Sequence, residues 1–117
     1  MKKRVFALAA CLLLVMVTTT QVAIARTPQA LPILSFSGTT ARGSVICQAD
    51  GDLERISAKL TLYEGNIYID SWSGSGTGMV PVSGECTVKS GKTYRLVLTW
   101  SINGVAQPSE SITRKCP

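Results

Sequence analysis

The sequence predicts an all-β domain, a small antiparallel β-sandwich of the immunoglobulin-like type with six or seven strands. Three observations predict it. Apolar and polar side chains alternate over several short segments. Glycine-containing turns separate these segments at intervals of about a dozen residues. No stretch after residue 25 has the apolar period of a helix. Because alternation is typical of strands that bury one face, we expect two sheets packed against each other.

The first residues have the order of an export signal. Cations at positions 2–4 precede an apolar run over residues 5–17, and small residues follow up to Ala25. The run is shorter than the roughly 20 residues of a membrane-spanning helix. The sequence therefore predicts a signal peptide over residues 1–25, cleaved between Ala25 and Arg26, and a secreted protein that is extracellular or associated with the cell surface. Retention of this segment as an anchor is the alternative.

The remaining chain is predicted to hold one small domain. Residues 26–36 contain prolines and little pattern, which predicts a loosely ordered leader before a sandwich domain at residues 37–117. Without the three cations of the signal, nine cations and seven acids remain, a net charge of +2. No run of Lys or Arg is left, so we expect no nucleic-acid partner. We also expect no stable membrane insertion after removal of the signal, and a monomer.

The predicted strands lie at residues 42–49, 54–65, 67–72, 79–90, 93–102 and 108–116. Alternation is clearest in the second segment, where apolar residues occupy every second position from Ile56 to Leu62. The Asn-Gly pair at 103–104 is a strong hairpin signal. Pro81 lacks the N–H that a central strand needs, so its strand is predicted at the edge of a sheet.

Alternating glycines in "SWSGSGTGM", residues 71–79, raise the question of a phosphate-binding loop. Such a loop needs a following helix whose N-terminus faces the anion. The residues that follow Gly78 are "MVPV", which is typical of a strand. We therefore interpret the segment as a mobile connection through which the chain passes from one sheet to the other.

Three cysteines follow the signal, and export places them where disulfides persist. We predict a bridge between Cys86 and Cys116. It would hold the penultimate residue, and both cysteines share a strand face with an apolar residue, Val88 and Ile112 respectively. A bridge that closes a loop of about 30 residues adds about 3 kcal/mol to stability. Pairing of Cys47 with Cys116 is the alternative; otherwise Cys47 is expected to be a buried, free thiol.

The composition argues against an enzyme. The chain has no histidine, which removes Ser-His-Asp and Cys-His catalysis and histidine metal sites. We therefore predict no catalytic residue, no cofactor and no metal site. The acidic segment at residues 50–54 is interpreted as a solvated turn, with weak calcium binding as the alternative. Tyr94, at the start of a late strand, is either a tyrosine corner or an ordinary core tyrosine.

An exported domain without catalytic groups is most simply an extracellular binding or interaction module. Tyr63, Tyr68 and Trp72 are the candidate interaction surface, because Tyr63 lies opposite the apolar face of its strand. The expected partner is an extracellular protein or a glycan. The alternative is a secreted antimicrobial or toxin-like protein, or an inhibitor.

Several segments resemble a family of small secreted β-rich proteins of Gram-positive bacteria, a domain of unknown function. The resemblance covers residues 31–117 and is carried by "LSFSGTTARGSV", "LTLYEGN", "DSWSGSGTG", "SGKTYRLVLTW" and "SITRKCP". It implies an exported β domain, and it implies no activity.

Overall fold

The structure, a computed structural model, describes residues 28–117. The predicted signal peptide and the cleavage site between Ala25 and Arg26 lie outside the described residues. Within residues 28–117 the chain contains strands and no helix, so nothing in this part offers an apolar helix of membrane-spanning length. The prediction of an all-β sandwich is confirmed: two antiparallel sheets pack face to face.

The described strands are β1 (Ile33–Ser37), β2 (Thr40–Gln48), β3 (Arg55–Glu64), β4 (Ile67–Thr77), β5 (Met79–Thr87), β6 (Thr93–Ile102), β7 (Val105–Ala106) and β8 (Glu110–Lys115). Seven of them have five or more residues, and β7 has two. Both β7 and β8 pair with β6, along successive parts of it. They therefore form one interrupted edge strand, and the interruption contains Pro108, which has no N–H to donate.

One sheet has the order β1-β2-β5, and the other has the order β4-β3-β6 with β7 and β8 on the outer side of β6. β4 packs against β5 at one side of the sandwich, and β1 packs against β8 at the other. Pro81 lies in β5, an edge strand as its missing N–H predicts. The two sheets enclose an apolar core in which the largest buried side chains include Leu34, Leu60, Leu62 and Leu96.

Strand β1 begins inside the range 26–36 that the sequence assigns to a leader. Leu34 is buried in the core, and burial of this apolar side chain stabilises the segment as a strand. Before it, Gln29 and Gln48 exchange two backbone hydrogen bonds of 2.9 Å. The folded body thus starts before residue 37.

The glycine-rich segment is mostly a strand and not a connection. Gly74 and Gly76 lie within β4, opposite Ala58 and Ile56, whose side chains are buried. A Cβ on Gly74 would lie 3.2 Å from a methyl of Val82 across the sandwich. The missing side chains therefore let β4 approach β5 closely. Only Gly78, with a φ of 77°, makes the turn between the two sheets.

Tyr94 has the contacts of a tyrosine corner. Its side chain is buried, and its hydroxyl accepts a 2.7 Å hydrogen bond from the backbone N–H of Lys89, five residues upstream. The same hydroxyl donates to Glu64 Oε1 at 3.3 Å. The structure thus decides between the two interpretations of this residue, and the corner fastens the loop between β5 and β6.

The predicted bridge between Cys86 and Cys116 is not formed; both thiols are free. Cys86 lies on β5, at the edge that packs against β4, whereas Cys116 follows β8 at the opposite edge. Two strand spacings, about 10 Å, separate these edges. A disulfide requires Cα atoms about 4.4–6.8 Å apart. Cys116 Sγ instead donates to the carbonyl of Gly38 at 3.5 Å.

The alternative bridge from Cys47 is also not formed. Cys47 pairs with Val80 at one end of β2, while Gly38, the neighbour of Cys116, lies beyond the other end. The length of β2 from Cys47 to its other end at Thr40 is about 23 Å at the rise of an extended strand. Cys47 is fully buried, and this burial raises the pKa of its thiol to about 11. It is therefore an apolar core residue rather than a reactive group.

Candidate functional site

Of the three residues of the predicted interaction surface, Trp72 is directed into the sandwich. It lies on β4 opposite Leu60, which is fully buried, and its ring packs against the core. A Cβ on Gly84, in the facing sheet, would overlap the indole. Trp72 is therefore half-buried packing between the sheets and is not part of an exposed aromatic strip.

Tyr63 and Tyr68 are brought together as a cross-strand pair on β3 and β4, next to an irregularity in the register. The guanidinium of Arg95 lies 4.8 Å from the centre of the Tyr63 ring and covers one of its faces. Tyr68 is exposed, and its hydroxyl lies 3.1 Å from the hydroxyl of Ser71. The aromatic surface that the sequence predicts is thus reduced to one open ring, that of Tyr68.

A larger feature lies on the outer face of the three-stranded sheet. We call it the apolar groove, a cavity of about 560 Å³ whose apolar lining includes Leu31, Ile33, Ile46 and Pro81. Leu31 is 74% exposed, Ile33 59% and Ile46 58%. Large apolar side chains on a surface are unremarkable when single, but a cluster around a cavity is typical of a binding site.

The register explains why these side chains meet. Ile46 of β2 pairs directly with Pro81 of β5, and Ile33 of β1 pairs with Ser44 of β2. Directly opposite residues of antiparallel strands point to the same side of a sheet, so the apolar side chains of three strands share the outer face. The segment before β1, which includes Leu31, forms a wall of the groove.

Polar groups are interspersed in the same groove. Gln29 and Gln48 contribute amides, and Ser44 and Ser83 contribute hydroxyls. Arg42 is the charged residue of the lining, and it forms a 3.2 Å ion pair with Glu85. Because both partners are about half exposed, this pair adds little to stability.

Among the described residues, the lining of the groove has two serine hydroxyls, those of Ser44 and Ser83, and no carboxylate or thiol. Cys47 lies beneath this sheet in the core. Among residues 28–117 no group of three or more His, Cys, Asp or Glu side chains could hold a metal ion.

Sequence reasoning missed this groove because its residues come from three separate segments. Ile46 is visibly on the opposite face from Val45 and Cys47, which was a usable signal. Leu31 and Ile33, however, fall in the segment interpreted as a leader. Without the pairing of β1 with β2, nothing places them beside Ile46.

No family model matches the chain, and no curated protein matches it. Among solved structures, the chain is similar to the CARDB domain of the PF1109 protein from Pyrococcus furiosus, described in complex with di-metal ions. That match has a TM-score of 0.49 and 13% identity, and it covers 80% of this chain and 91% of that one. The chain is also similar to the sensor domain of the anti-sigma factor RsgI4 from Pseudobacteroides cellulosolvens. The TM-score is 0.46 and the identity 16%, with 79% and 98% of the two chains covered.

Proposed function

We propose that this chain is a secreted, non-enzymatic binding domain whose apolar groove takes an extended apolar segment of a protein partner. The observation that supports this function is the cluster of exposed Leu31, Ile33 and Ile46 around a cavity of about 560 Å³. Secretion is part of the proposal and rests on the signal-like sequence of residues 1–25.

Burial of the exposed apolar side chains supplies the free energy of binding. Complete burial of a side chain of this size contributes about 1.5–3 kcal/mol relative to leaving it in water. Leu31, Ile33 and Ile46 each keep more than half of their surface exposed, so each has a large part of this contribution still to gain.

The polar groups of the groove favour a peptide over a purely apolar ligand. An extended peptide brings backbone N–H and C=O groups that lose water when they are buried, and these need hydrogen-bond partners. The amides of Gln29 and Gln48 and the hydroxyls of Ser44 and Ser83 provide such partners among the apolar side chains.

The segment is expected to lie on the face of the sheet and not along its β1 edge. The carbonyl of Leu34 already accepts a 2.9 Å hydrogen bond from Arg114 Nη1. An added strand on this edge would have to displace that charged donor, and charged side chains are a common protection of sheet edges. The groove is therefore more accessible to a partner segment than the β1 edge is.

The first test uses a peptide selected for binding from a library of extended apolar sequences. Ile46→Glu places a charge in the groove and should weaken binding of that peptide at least about tenfold, the effect of roughly 1.4 kcal/mol. Leu53→Glu makes the same change at a side chain that is 91% exposed outside the groove, and it should leave the affinity unchanged. Affinities are measured by fluorescence anisotropy with the full secreted chain.

Two results would contradict the proposal. Either the library yields no peptide that binds, or Ile46→Glu and Leu53→Glu weaken binding equally. The alternative function, that of a membrane-active or toxin-like protein, requires a basic amphipathic face. The groove gives it little support, because its charged residue, Arg42, is paired with Glu85.

A further inference from the structure

The outer face of the five-stranded sheet, on the opposite side of the sandwich from the apolar groove, is covered by hydroxyls and cations. We call it the hydroxyl face and define it as the outward side chains of β3, β4, β6 and β8. Its cations are Arg55, Lys59, Arg95 and Lys115. Its hydroxyl side chains include Ser57, Thr61, Ser73, Thr99, Ser101 and Thr113.

The acidic residues of the same strands all lie on the other side of the sheet. Glu64 is directly opposite Tyr94, Asp70 is opposite Leu62, and Glu110 is opposite Leu98.

Tyr94, Leu62 and Leu98 are buried in the core, and opposite residues point to the same side of a sheet. The three carboxylates therefore border the core side, and none of the outward positions on these strands is acidic. The cations of the hydroxyl face are left without strand carboxylates to pair with on that face.

A shallow groove of about 390 Å³ on this face has Lys59 in its lining. Lys59 pairs with Ser73 on one side and with Thr99 on the other, and Ser57 pairs with Ser101 two positions along. These four hydroxyls and the ammonium line the groove. The arrangement offers one positive charge surrounded by groups that both donate and accept hydrogen bonds.

The other cations continue the line from Lys59. Arg95 pairs with Tyr63, four residues along β3 from Lys59, a distance of about 13 Å at the rise of a strand. Lys115 pairs with Thr93, two residues beyond Arg95, which is about 7 Å further. A row of about 20 Å with repeated positive charges matches a linear polymer with repeated negative charges better than it matches a single small anion.

We infer that the hydroxyl face binds a linear anionic glycan, a polymer of sugar units that carry carboxylate or phosphate groups. The hydroxyls match the many hydroxyls of the sugar units, and the cations form charge-assisted hydrogen bonds with the anionic groups. The exposed ring of Tyr68 lies on the same sheet and adds one apolar platform. Because this face and the apolar groove are on different sheets, the inference does not depend on the proposed function.

Two other polyanionic partners fit the face less well. A single-stranded nucleic acid binds by stacking its bases on several aromatic rings, and one face of Tyr63 is already covered by Arg95. An anionic membrane requires apolar side chains that enter the interface, whereas the outward positions of β6 have Val97 between polar residues.

The test titrates the full secreted chain with two anionic glycans, polygalacturonate with carboxylates and a phosphomannan with phosphates. Neutral dextran, polyglutamate and vesicles with phosphatidylglycerol serve as comparisons. We expect at least one of the two glycans to bind, the stronger one identifying the anionic group. Binding should weaken as salt is added, because exposed charges are screened.

Matched variants locate the site. Lys59→Gln removes one charge from the hydroxyl face and should weaken glycan binding about tenfold, the loss of one charge-assisted hydrogen bond. Arg42→Gln removes one charge from the opposite sheet. It should leave the glycan affinity within about twofold, because Arg42 lies outside the hydroxyl face; loss of its exposed ion pair should change stability little. Thr99→Val keeps the shape of the side chain and should cost about fivefold through the lost hydroxyl. Circular dichroism checks that each variant is folded.

The inference is overturned if dextran, polyglutamate or the vesicles bind as tightly as the better anionic glycan. It is also overturned if neither glycan binds, or if Lys59→Gln and Arg42→Gln have equal effects.

Discussion

At the scale of single residues, two glycines decide whether Trp72 fits between the sheets. Gly43 and Gly84 are directly paired on β2 and β5 and form the surface under the indole. A Cβ on Gly84 would overlap the indole, and a Cβ on Gly43 would lie 3.0 Å from a methyl of Leu96. The large ring of Trp72 therefore depends on the absence of a side chain opposite it.

Gly84→Ala is expected to destabilise the domain. The added methyl must displace the ring of Trp72, and overpacking of this kind costs about 1–3 kcal/mol. Gly51→Ala is the matched control, because the nearest atom to its new Cβ is the flexible side chain of Glu54 at 3.3 Å. Urea unfolding should show a lower free energy of unfolding for Gly84→Ala and little change for Gly51→Ala.

A second substitution tests whether displacement of the Trp72 ring causes the destabilisation by Gly84→Ala. Trp72→Phe shortens the ring, so adding it to Gly84→Ala should recover part of the loss, as a double-mutant cycle would show. If Gly84→Ala and Gly51→Ala unfold alike, the indole does not rest on Gly84.

At the scale of elements, the loop between β5 and β6 is held by the hydroxyl of Tyr94. Tyr94→Phe removes the hydrogen bond from the backbone N–H of Lys89 and leaves that donor without its partner, which costs about 1–3 kcal/mol. Tyr68→Phe is the control, because its hydroxyl is exposed and water replaces its contact with Ser71. Thermal unfolding should separate the two variants; equal melting temperatures would contradict a fastening role for Tyr94.

The same hydroxyl predicts part of the pH dependence of stability. Burial raises the pKa of Tyr94, and the hydrogen bond from Lys89 opposes that rise without cancelling it. Folding therefore favours the neutral hydroxyl. Its contribution is complete below the ordinary tyrosine pKa of 10.0 and is lost as the pH rises through the higher pKa of the folded state. Tyr94→Phe should remove this contribution to alkaline destabilisation.

The strands that the sequence predicts well are those in which apolar residues on a buried face alternate with mostly polar residues on the outer face. β3 alternates without interruption from Ile56 to Leu62, and β6 departs from alternation only at Val97; the structure buries every second residue over 56–62 and 94–102. β4 could not be recognised over its full length, because Gly74 and Gly76 look alike in sequence whether they turn the chain or make room for Val80. Their role depends on the facing sheet.

Whether two cysteines can pair depends on how the strands are ordered across the two sheets. Cys86 and Cys116 both alternate with apolar residues, which led to the predicted bridge. Whether two such residues can meet depends on the order of the strands across the sandwich. That order places them at opposite edges, and no feature local to either strand contains this information.

At the scale of the whole molecule, the two outer faces of the sandwich have opposite chemistry. The three-stranded sheet presents apolar side chains around a cavity, and the five-stranded sheet presents hydroxyls and cations. Residues 26–117 have no run of Lys or Arg, so a cationic surface was not expected from the sequence. The fold creates one by aligning Lys59, Arg95 and Lys115 from three strands.

The proposed function and the inferred glycan site together give the domain two independent binding faces, one for an apolar peptide segment and one for an anionic glycan. The most direct test is a two-dimensional ¹⁵N–¹H NMR titration of the full chain, first with the selected peptide and then with the better of the two glycans. We predict that the peptide shifts the amide signals of Ile33, Ser44 and Ile46, and that the glycan shifts those of Lys59 and Thr99. Overlapping sets of shifted residues, or no shifts at saturating ligand, would contradict the presence of two separate binding faces.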